Sequence, residues 1–367
     1  MVSGAARTVV VKVGTSSITD ERGRIVEQAI AKLCAEVAEV RSGPDQVVVV
    51  TSGAVAAGLP VLGLHPRPND PAVLQAVSAV GQSRLMAHYD RSLEAAGLVG
   101  GQVLLAPLDF WDRAQYLHAR ETLRLLLGLG VVPVVNENDA VADDEIRFGD
   151  NDRLAALVAN LLQADLLVLL TDAAGLFTSD PRLSEEASLI EEVLEVDEVL
   201  SLAGGPGSHR GSGGMASKLA AAKIAAWSGV RVVIAAADRH RVLQDAVAGA
   251  PGVGTVVHPR TGRLPARKLW IAFALAPAGT VVVDSGAKRA LVEKGVSLLP
   301  AGVREVKGDF TPEDAVEVAG PDGSVFAKGL VRHSAKALRE WAGLRTSELP
   351  PEVPQEVVHR DDLVILP

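Results

Sequence analysis

Runs of apolar, β-branched residues alternate with helical periodicity over the first three quarters of the chain. The apolar runs are Thr8–Val13, Gln46–Val50, Gly100–Leu105, Val131–Val135, Asp165–Leu170 and Val230–Ala235. Amphipathic stretches lie between them, at Ile25–Arg41, Ala72–Ala96, Arg113–Leu127, Asn151–Gln163 and Met215–Trp227. Strands that alternate with long helices predict an α/β fold with a mostly parallel open sheet. Because the strands are apolar throughout, we expect helices on both faces of that sheet.

The pattern changes after about residue 275. A linker-like segment, Ala276–Gly279, is followed by short strand patterns separated by Gly and Pro turns. These patterns are Thr280–Asp284, Arg304–Lys307, Ala315–Val318 and Ser324–Leu330, with one helical pattern at Ala287–Glu293. The sequence therefore predicts two domains, an α/β domain over residues 1–275 and a small β-rich domain over residues 276–367.

Composition excludes several classes of protein. Apolar residues make up 48% and charged residues 22%, as in ordinary globular proteins, and the single cysteine excludes a disulfide framework. The net charge of −9 makes a general affinity for nucleic acid or anionic membranes unfavourable. The longest apolar run, Leu125–Val135, is far shorter than a membrane span. We expect a cytoplasmic protein that has no contact with a membrane.

Four of the apolar runs end in polar or glycine-rich clusters. These clusters are Lys12–Ser17, Thr51–Ala54, Asn136–Asp139 and Thr171–Leu176. The carboxyl ends of parallel strands share one edge of an open sheet, and ligands bind in the crevice along it. The four clusters therefore predict one shared site.

Two more polar segments precede predicted helices. Asp150, Asn151 and Asp152 stand before the apolar stretch Leu154–Leu162, and three such residues exceed what an N-cap requires. The segment Thr178–Gly214, rich in Glu, Ser and Gly, predicts a short acidic helix and a glycine loop, which is either functional or a disordered surface connection. That loop leads into a helix start formed by Ser212, Gly213, Gly214, Met215, Ala216, Ser217 and Lys218. Its free backbone N–H groups favour a phosphate group, although it lacks the spacing of a P-loop or a Rossmann loop.

Two lysines, glycine-lined strand ends and several carboxylates together indicate phosphoryl transfer, a reaction that depends on positioning and charge neutralisation. At these residues the sequence resembles the amino acid kinase family. The matching strings are Val11–Ser16, Val50–Gly58, Ala79–Leu85, Val132–Val141, Gly149–Asp152, Leu170–Asp172, Gly213–Met215 and His359–Asp362. They run in order over nearly the whole chain, and Asn136–Asp139 with Gly149–Asp152 is specific to the branch that phosphorylates glutamate.

The resemblance implies the amino acid kinase fold followed by a PUA domain. It also implies ATP- and Mg²⁺-dependent phosphorylation of the γ-carboxylate of L-glutamate, which is the first step of proline biosynthesis. It further implies feedback inhibition by proline and a homo-oligomeric assembly. By position, Ser52, Asp139 and Asn151 would bind glutamate. Lys12, Thr171, Asp172 and the loop Ser212–Lys218 would bind ATP. A hand-off of the acyl phosphate to glutamyl phosphate reductase is left open.

The residues suggest how such a reaction would run. A γ-carboxylate, with an ordinary pKa of about 4.3, is ionised at neutral pH, so no general base is required. Lys12 and Lys218 would stabilise the transferred phosphoryl group. Asp152 would either orient the two lysines or serve as a first-turn acid favoured by the helix dipole. Gly14 and Gly53 would let backbone N–H groups approach the same oxygens.

Recognition of the amino acid would fall to other groups. Asp139 and Asp150 would hold the α-ammonium group, whereas Ser52 and Asn151 would hold a carboxylate. No resident metal site is expected, because Mg²⁺ prefers phosphate oxygens and water.

Two alternatives stay open. Another member of the family, such as an acetylglutamate or aspartate kinase, would share the phosphate machinery. An RNA-binding PUA protein is the second alternative, with Lys328, Arg332, Lys336 and Arg339 as a local basic patch. Residues 278–367 contain 11 basic and 14 acidic side chains, which argues against tight RNA binding.

Overall fold

The apolar runs of the sequence form the strands of a large sheet. The computed structural model describes residues 6–20, 22–141, 151–179, 181, 184, 186–199, 214–260, 264–273, 275–350 and 352–366. It divides into two units, Met1–Arg263 and Leu264–Pro367. The strands of the first unit are β1 (Thr8–Val13), β2 (Gln46–Val50), β3 (Gly100–Leu105), β4 (Val132–Glu137), β5 (Leu166–Thr171), β6 (Glu192–Val193), β7 (Arg231–Ala236) and β8 (Thr255–Val257).

The strand order is β3-β4-β2-β1-β5-β7-β8-β6, and every pair is parallel except β7 with β8. The two central strands, β1 and β5, lead into opposite halves of the sheet, since β1 continues to β2 and β5 continues towards β7. A crevice at the carboxyl ends of two such strands is where open α/β sheets bind ligands. The predicted α/β fold is confirmed.

Helices cover both faces of this sheet. They are α1 (Thr15–Ile18), α2 (Glu27–Arg41), α3 (Ala54–Val61), α4 (Pro71–Ala95), α5 (Leu108–Trp111), α6 (Arg113–Gly128), α7 (Asn151–Leu162), α8 (Val196–Val199), α9 (Met215–Trp227) and α10 (Val242–Ala248). Val9, Val11 and Val13 of β1 join the core cluster formed with α2, α4 and α10. Because side chains alternate along a strand, Lys12 points to the opposite face, where α7 packs on β1. The start of α7 is therefore within reach of Lys12.

Helices α3 and α4 are in unusually close contact. A Cβ atom on Gly81 of α4 would lie 1.8 Å from the carbonyl oxygen of Ala54, and one on Gly58 of α3 would lie 2.1 Å from that of Val77. No side chain fits at either distance, so these two glycines set the helix separation. The contact fixes the position of α4, whose buried face includes Ser78 and Gln82.

The second unit has its own sheet and core. Its elements are α11 (Ala266–Phe273), β9 (Gly279–Val283), α12 (Ser285–Lys294), β10 (Val303–Gly308), β11 (Ala315–Ala319), β12 (Val325–Val331), α13 (Ala335–Trp341) and β13 (Val358–Ile365), with short 3-10 helices at Pro300–Gly302 and Thr346–Glu348. The strand order is β10-β9-β11-β12-β13, and β9 with β11 is the parallel pair. The predicted small β-rich domain is thus present.

Helix α11 belongs to this second unit, ahead of the expected boundary between residues 275 and 276. It packs on β12 and β13, and the Lys328 ammonium group on β12 donates to the carbonyl oxygens of Ala272 and Leu275. Lys328 is buried, and Arg339 donates to the backbone of Val306 and Gly308. Two of the four side chains of the suggested basic patch, Lys328 and Arg339, therefore make hydrogen bonds within the protein. None of the described helices combines the length and apolar character that crossing a bilayer requires.

Candidate active site

Two lysines meet on one carboxylate at the carboxyl edge of the sheet. Lys12 Nζ lies 2.5 Å from Asp152 Oδ1, and Lys218 Nζ lies 3.1 Å from Asp152 Oδ2. The three residues come from the end of β1, the first turn of α7 and the first turn of α9. Together the three side chains carry one net positive charge. Such a group attracts an anion that reaches this edge.

This triad is almost completely enclosed. Asp152 has no exposed surface, and Lys12 and Lys218 are 3% and 7% exposed. Burial acts to raise the pKa of the Asp152 carboxyl, but the charges of the two lysines outweigh burial and lower the pKa below its usual value. Asp152 is therefore ionised throughout the physiological range. Ser217 Oγ, 3.2 Å from Asp152 Oδ2, donates a further hydrogen bond to the carboxylate.

Two glycines border the triad and the neighbouring strand end. A Cβ atom on Gly14 would lie 3.6 Å from Lys12 Nζ, so the Gly14 backbone runs directly beside the ammonium group. Gly53 has a φ of +105° and begins α3, a conformation that favours glycine. At Gly53 the side-chain position faces Ile18, 3.2 Å from its Cδ1, so glycine is needed there for the backbone conformation.

An amide network lies beside the triad. Asn151 Nδ2 faces the carbonyl oxygen of Thr51 at 2.5 Å, Ser52 Oγ at 3.0 Å and Asn136 Oδ1 at 2.8 Å. A backbone carbonyl oxygen only accepts, so the Asn151 nitrogen must face the protein. The acceptor oxygen of Asn151 is then the atom left for a ligand, which suits an ammonium group better than the carboxylate expected from the sequence. Ser52 Oγ accepts from Asn151 and keeps its own proton for a carboxylate.

Asp139 is held by helix α4, which also contacts Asn136 of this network. Its Oδ2 accepts a hydrogen bond from Ser78 Oγ of α4 at 3.0 Å. The carboxylate follows β4 in the chain and is partly exposed. Its position and charge suit the α-ammonium group of an amino acid.

The predicted nucleotide-binding residues occupy two neighbouring stretches. Thr171 ends β5 and donates through Oγ1 to Asp172 Oδ1 at 3.0 Å, and the Asp172 side chain is exposed. Gly214 caps α9, and Met215, Ala216, Ser217 and Lys218 form its first turn. Ser217 Oγ also lies 2.8 Å from Gly214 O, so its single proton is shared between that oxygen and Asp152 Oδ2. Asp150, Ser212 and Gly213 lie outside the described residues.

Several contacts of the site were not predicted. Thr51 is fully buried, and its Oγ1 lies 2.8 Å from the hydroxyl oxygen of Tyr89 on α4. Ser78 and Gln82 lie one helical turn apart on α4, next to Asp139 and Asn136. A signal for both was present in the sequence, because two polar residues lie on the same helix face as the buried Val77, Gly81 and Leu85.

Comparison with known proteins agrees with this architecture. The family model described as the amino acid kinase family matches residues 7–236, and the model of the PUA domain matches residues 279–351. A glutamate 5-kinase of Nostoc sp. is 44% identical and aligns over 99% of this chain and 98% of its own. A glutamate 5-kinase of Mycobacterium avium is 46% identical over 98% of this chain and 97% of its own.

Among solved structures, carbamate kinase from Giardia lamblia bound to AMP-PNP superimposes with a TM-score of 0.52 and 16% identity, covering 70% of this chain and 99% of that one. At that identity the likeness concerns the fold alone. The family model covers most of the chain, and relatives above 40% identity span nearly all of it. The chain therefore belongs to the amino acid kinase family, in the group of the glutamate 5-kinases, and is a kinase that carries a PUA domain.

Proposed function

We propose that this kinase transfers the γ-phosphoryl group of ATP to the γ-carboxylate of L-glutamate, forming L-glutamyl 5-phosphate and ADP. A γ-carboxylate oxygen attacks the γ-phosphorus, and the bond from that phosphorus to the β,γ-bridging oxygen breaks. The observation that carries the proposal is the buried meeting of Lys12 and Lys218 on Asp152, beside glycine-lined strand ends. The glutamate 5-kinases at 44–46% identity support the choice of substrate.

The lysines solve the electrostatic problem of this reaction. An ionised carboxylate has to approach a polyphosphate, and the two repel each other. Ammonium groups held in an enclosed site stabilise charge that spreads over the phosphoryl oxygens in the transition state. Asp152 acts as a positioning residue, because it fixes two flexible lysine side chains without a change of its own protonation.

The remaining predicted residues divide by charge. Asp139 and the Asn151 oxygen are acceptors for the α-ammonium group of glutamate, with Asp150 as a further predicted acceptor, and Ser52 supplies a donor for a carboxylate.

Thr171, Asp172 and the segment Ser212–Lys218 would bind ATP. The exposed Asp172 carboxylate is the type of oxygen ligand that Mg²⁺ accepts, so the residues fit an ion that enters with the nucleotide. When bound, Mg²⁺ would neutralise phosphate charge.

The test uses Mg-ATP, glutamate and hydroxylamine, which traps an acyl phosphate as γ-glutamyl hydroxamate. The wild-type enzyme should form the hydroxamate with glutamate, and N-acetylglutamate, aspartate and carbamate should react far more slowly. Faster turnover of any of these three would overturn the substrate assignment.

Two variants and a matched control test the lysines. Lys12→Ala and Lys218→Ala should each lower turnover by roughly 100-fold or more, while glutamate still binds. Lys223→Ala is the control, because Lys223 lies on the same helix α9 and pairs with the surface residue Asp197. Near-normal turnover in either active-site variant would remove that lysine from the mechanism.

The proposal also includes a role in proline biosynthesis, a cytoplasmic location and feedback inhibition by L-proline. It further includes a homo-oligomeric assembly and a hand-off to glutamyl phosphate reductase. L-Proline added to the hydroxamate assay should inhibit the enzyme. Light scattering would give the oligomeric state.

A further inference from the structure

A buried amide nitrogen on α4 has no protein partner among the described residues. Gln82 is 8% exposed, and its Oε1 accepts a hydrogen bond from Asn136 Nδ2 at 2.8 Å. Its Nε2 is buried without an acceptor in the described part of the chain. A buried donor left unsatisfied destabilises the site, and a ligand that brings an acceptor would satisfy it.

The orientation of this amide follows from the backbone. The backbone N–H of Glu137 donates to Asn136 Oδ1 at 2.9 Å, and an N–H group cannot accept. Asn136 must therefore turn its nitrogen towards Gln82, and Gln82 must turn its oxygen towards Asn136. The unpartnered atom of Gln82 is a donor and not an acceptor.

The surroundings of Gln82 identify which group it meets. Ser78, one turn earlier on the same helix, holds Asp139, and Asn136 also contacts Asn151. Gln82 is thus one hydrogen-bonded residue away from Asn151 and one helical turn away from the residue that holds Asp139, the two acceptors assigned to the α-ammonium group. The α-carboxylate of an amino acid is bonded to the same carbon as its ammonium group. It therefore brings an acceptor to this place, whereas the γ-carboxylate has to reach the lysines at Asp152.

We propose that Gln82 Nε2 donates a hydrogen bond to the α-carboxylate of the substrate and is a specificity-determining residue of the site. This inference rests on the proposed function. Gln82 is the donor that completes recognition of a free α-amino acid, next to the acceptors Asp139 and Asn151.

Two variants of similar size separate this role from a structural one. Gln82→Met removes both polar atoms. Gln82→Glu keeps an oxygen facing Asn136 Nδ2 and places a second oxygen where the amide nitrogen was. The second oxygen repels an α-carboxylate but accepts from an α-amide. The substrates compared are therefore glutamate and its α-amide, isoglutamine, in the hydroxamate assay at pH 8.

The wild-type enzyme should prefer glutamate in kcat/KM. Gln82→Glu should shift the ratio of glutamate to isoglutamine towards isoglutamine by roughly 10- to 100-fold, and Gln82→Met should shift it less. The KM for ATP should stay unchanged in both variants. Ser83→Ala, at an exposed position of the same helix, is the control and should leave the ratio unchanged.

The outcomes distinguish this inference from the proposed function. Active wild-type enzyme with an unchanged ratio in both variants overturns the role of Gln82 alone. A lower kcat with an unchanged ratio would make Gln82 a residue that only positions Asn136, which also overturns the proposal. Wild-type enzyme that forms no hydroxamate from glutamate overturns the proposed function, and the assignment of Gln82 falls with it.

A measurement on the wild-type enzyme covers the case in which both variants unfold. 4-Aminobutanoate has the amino group and the terminal carboxylate but lacks the α-carboxylate. It should bind at least about tenfold more weakly than glutamate. Equal binding of the two compounds would contradict a donor for the α-carboxylate.

Discussion

Lys12 and Asp152 form a 2.5 Å ion pair between the end of β1 and the first turn of α7, and both side chains are almost completely buried. Lys218 reaches the second oxygen of the same carboxylate. Removing one member of a buried ion pair leaves the other charge without its partner, which is more damaging than loss of a surface pair. The pair therefore links stability to the arrangement proposed for catalysis.

Asp152→Asn should affect both properties. The substitution keeps the size of the side chain but removes the charge that holds two ammonium groups. We expect the free energy of unfolding to fall by about 3–5 kcal/mol and turnover to fall roughly 100-fold. Urea unfolding and the hydroxamate assay would measure the two effects.

Asp197→Asn is the matched control for that variant. Asp197 also lies 2.5 Å from a lysine, Lys223, but its side chain is 38% exposed. An exposed pair contributes about 0–1 kcal/mol, so unfolding and turnover should change little. Equal losses of stability in the two variants would contradict the importance of burial.

The pH dependence of stability should depend on Asp152. The pKa of this carboxyl is lower in the folded chain than its ordinary value of 3.8, because the lysine charges outweigh burial. A lowered pKa contributes stability above the unfolded value, and this contribution is lost as the pH falls through the folded value. The wild-type protein should therefore lose stability more steeply below about pH 4 than Asp152→Asn. Parallel pH profiles of the unfolding free energy in the two proteins would refute this assignment.

Gly81→Ala should disturb the contact between α3 and α4. The added Cβ atom would lie 1.8 Å from the Ala54 carbonyl oxygen, so the helices have to separate. We expect a loss of about 1–3 kcal/mol in unfolding free energy. A higher KM for glutamate should accompany it, because α4 carries Ser78 and Gln82. Gly128→Ala, with no atom within 4 Å of the new Cβ, should be neutral or slightly stabilising, and a similar loss there would contradict the steric explanation.

Cys34 should report on unfolding of the first unit. It is fully buried in α2, and burial raises the pKa of its thiol to about 12. Because the thiolate is the nucleophile, iodoacetamide at pH 8 should not modify the native protein. Modification should appear with the same urea midpoint as the loss of helical circular dichroism. Rapid labelling of the native protein would show that α2 opens independently.

The sequence predicted strands best where burial on both faces left a continuous apolar run. The bounds of β1 and β2 agree with the structure, because both strands are buried along almost their whole length and read as continuous apolar runs. The bounds of β3 also agree, although β3 is an edge strand that is only partly buried. Strand β13 was not predicted, since the polar residues His359-Arg360-Asp361-Asp362 separate its first apolar residue, Val358, from the apolar residues at its end. The residues of α11 fall within the predicted first domain because their packing on β12 and β13 involves residues far along the chain, which the local sequence pattern does not show.

The sequence could predict which residues of the site lie close together. It could not predict which of their atoms donate and which accept hydrogen bonds. Strand ends in a parallel sheet share an edge, so Lys12 and Asp152 could be expected near each other. The direction in which Asn151 points could not, because it depends on the carbonyl group of Thr51 in the folded chain. The orientation of the Gln82 amide could not be predicted either, because it depends on the hydrogen bond between the backbone N–H of Glu137 and Asn136.

The chain of amides from Gln82 through Asn136 to Asn151 has a single polarity, set by two backbone groups, the N–H of Glu137 at Asn136 and the carbonyl of Thr51 at Asn151. Replacing Asn136 or Asn151 with an acid would place an oxygen against Gln82 Oε1 or against the carbonyl oxygen of Thr51. Mutational drift at these positions is therefore constrained to concerted exchanges, and a lineage that acquires a different substrate should change them as a group.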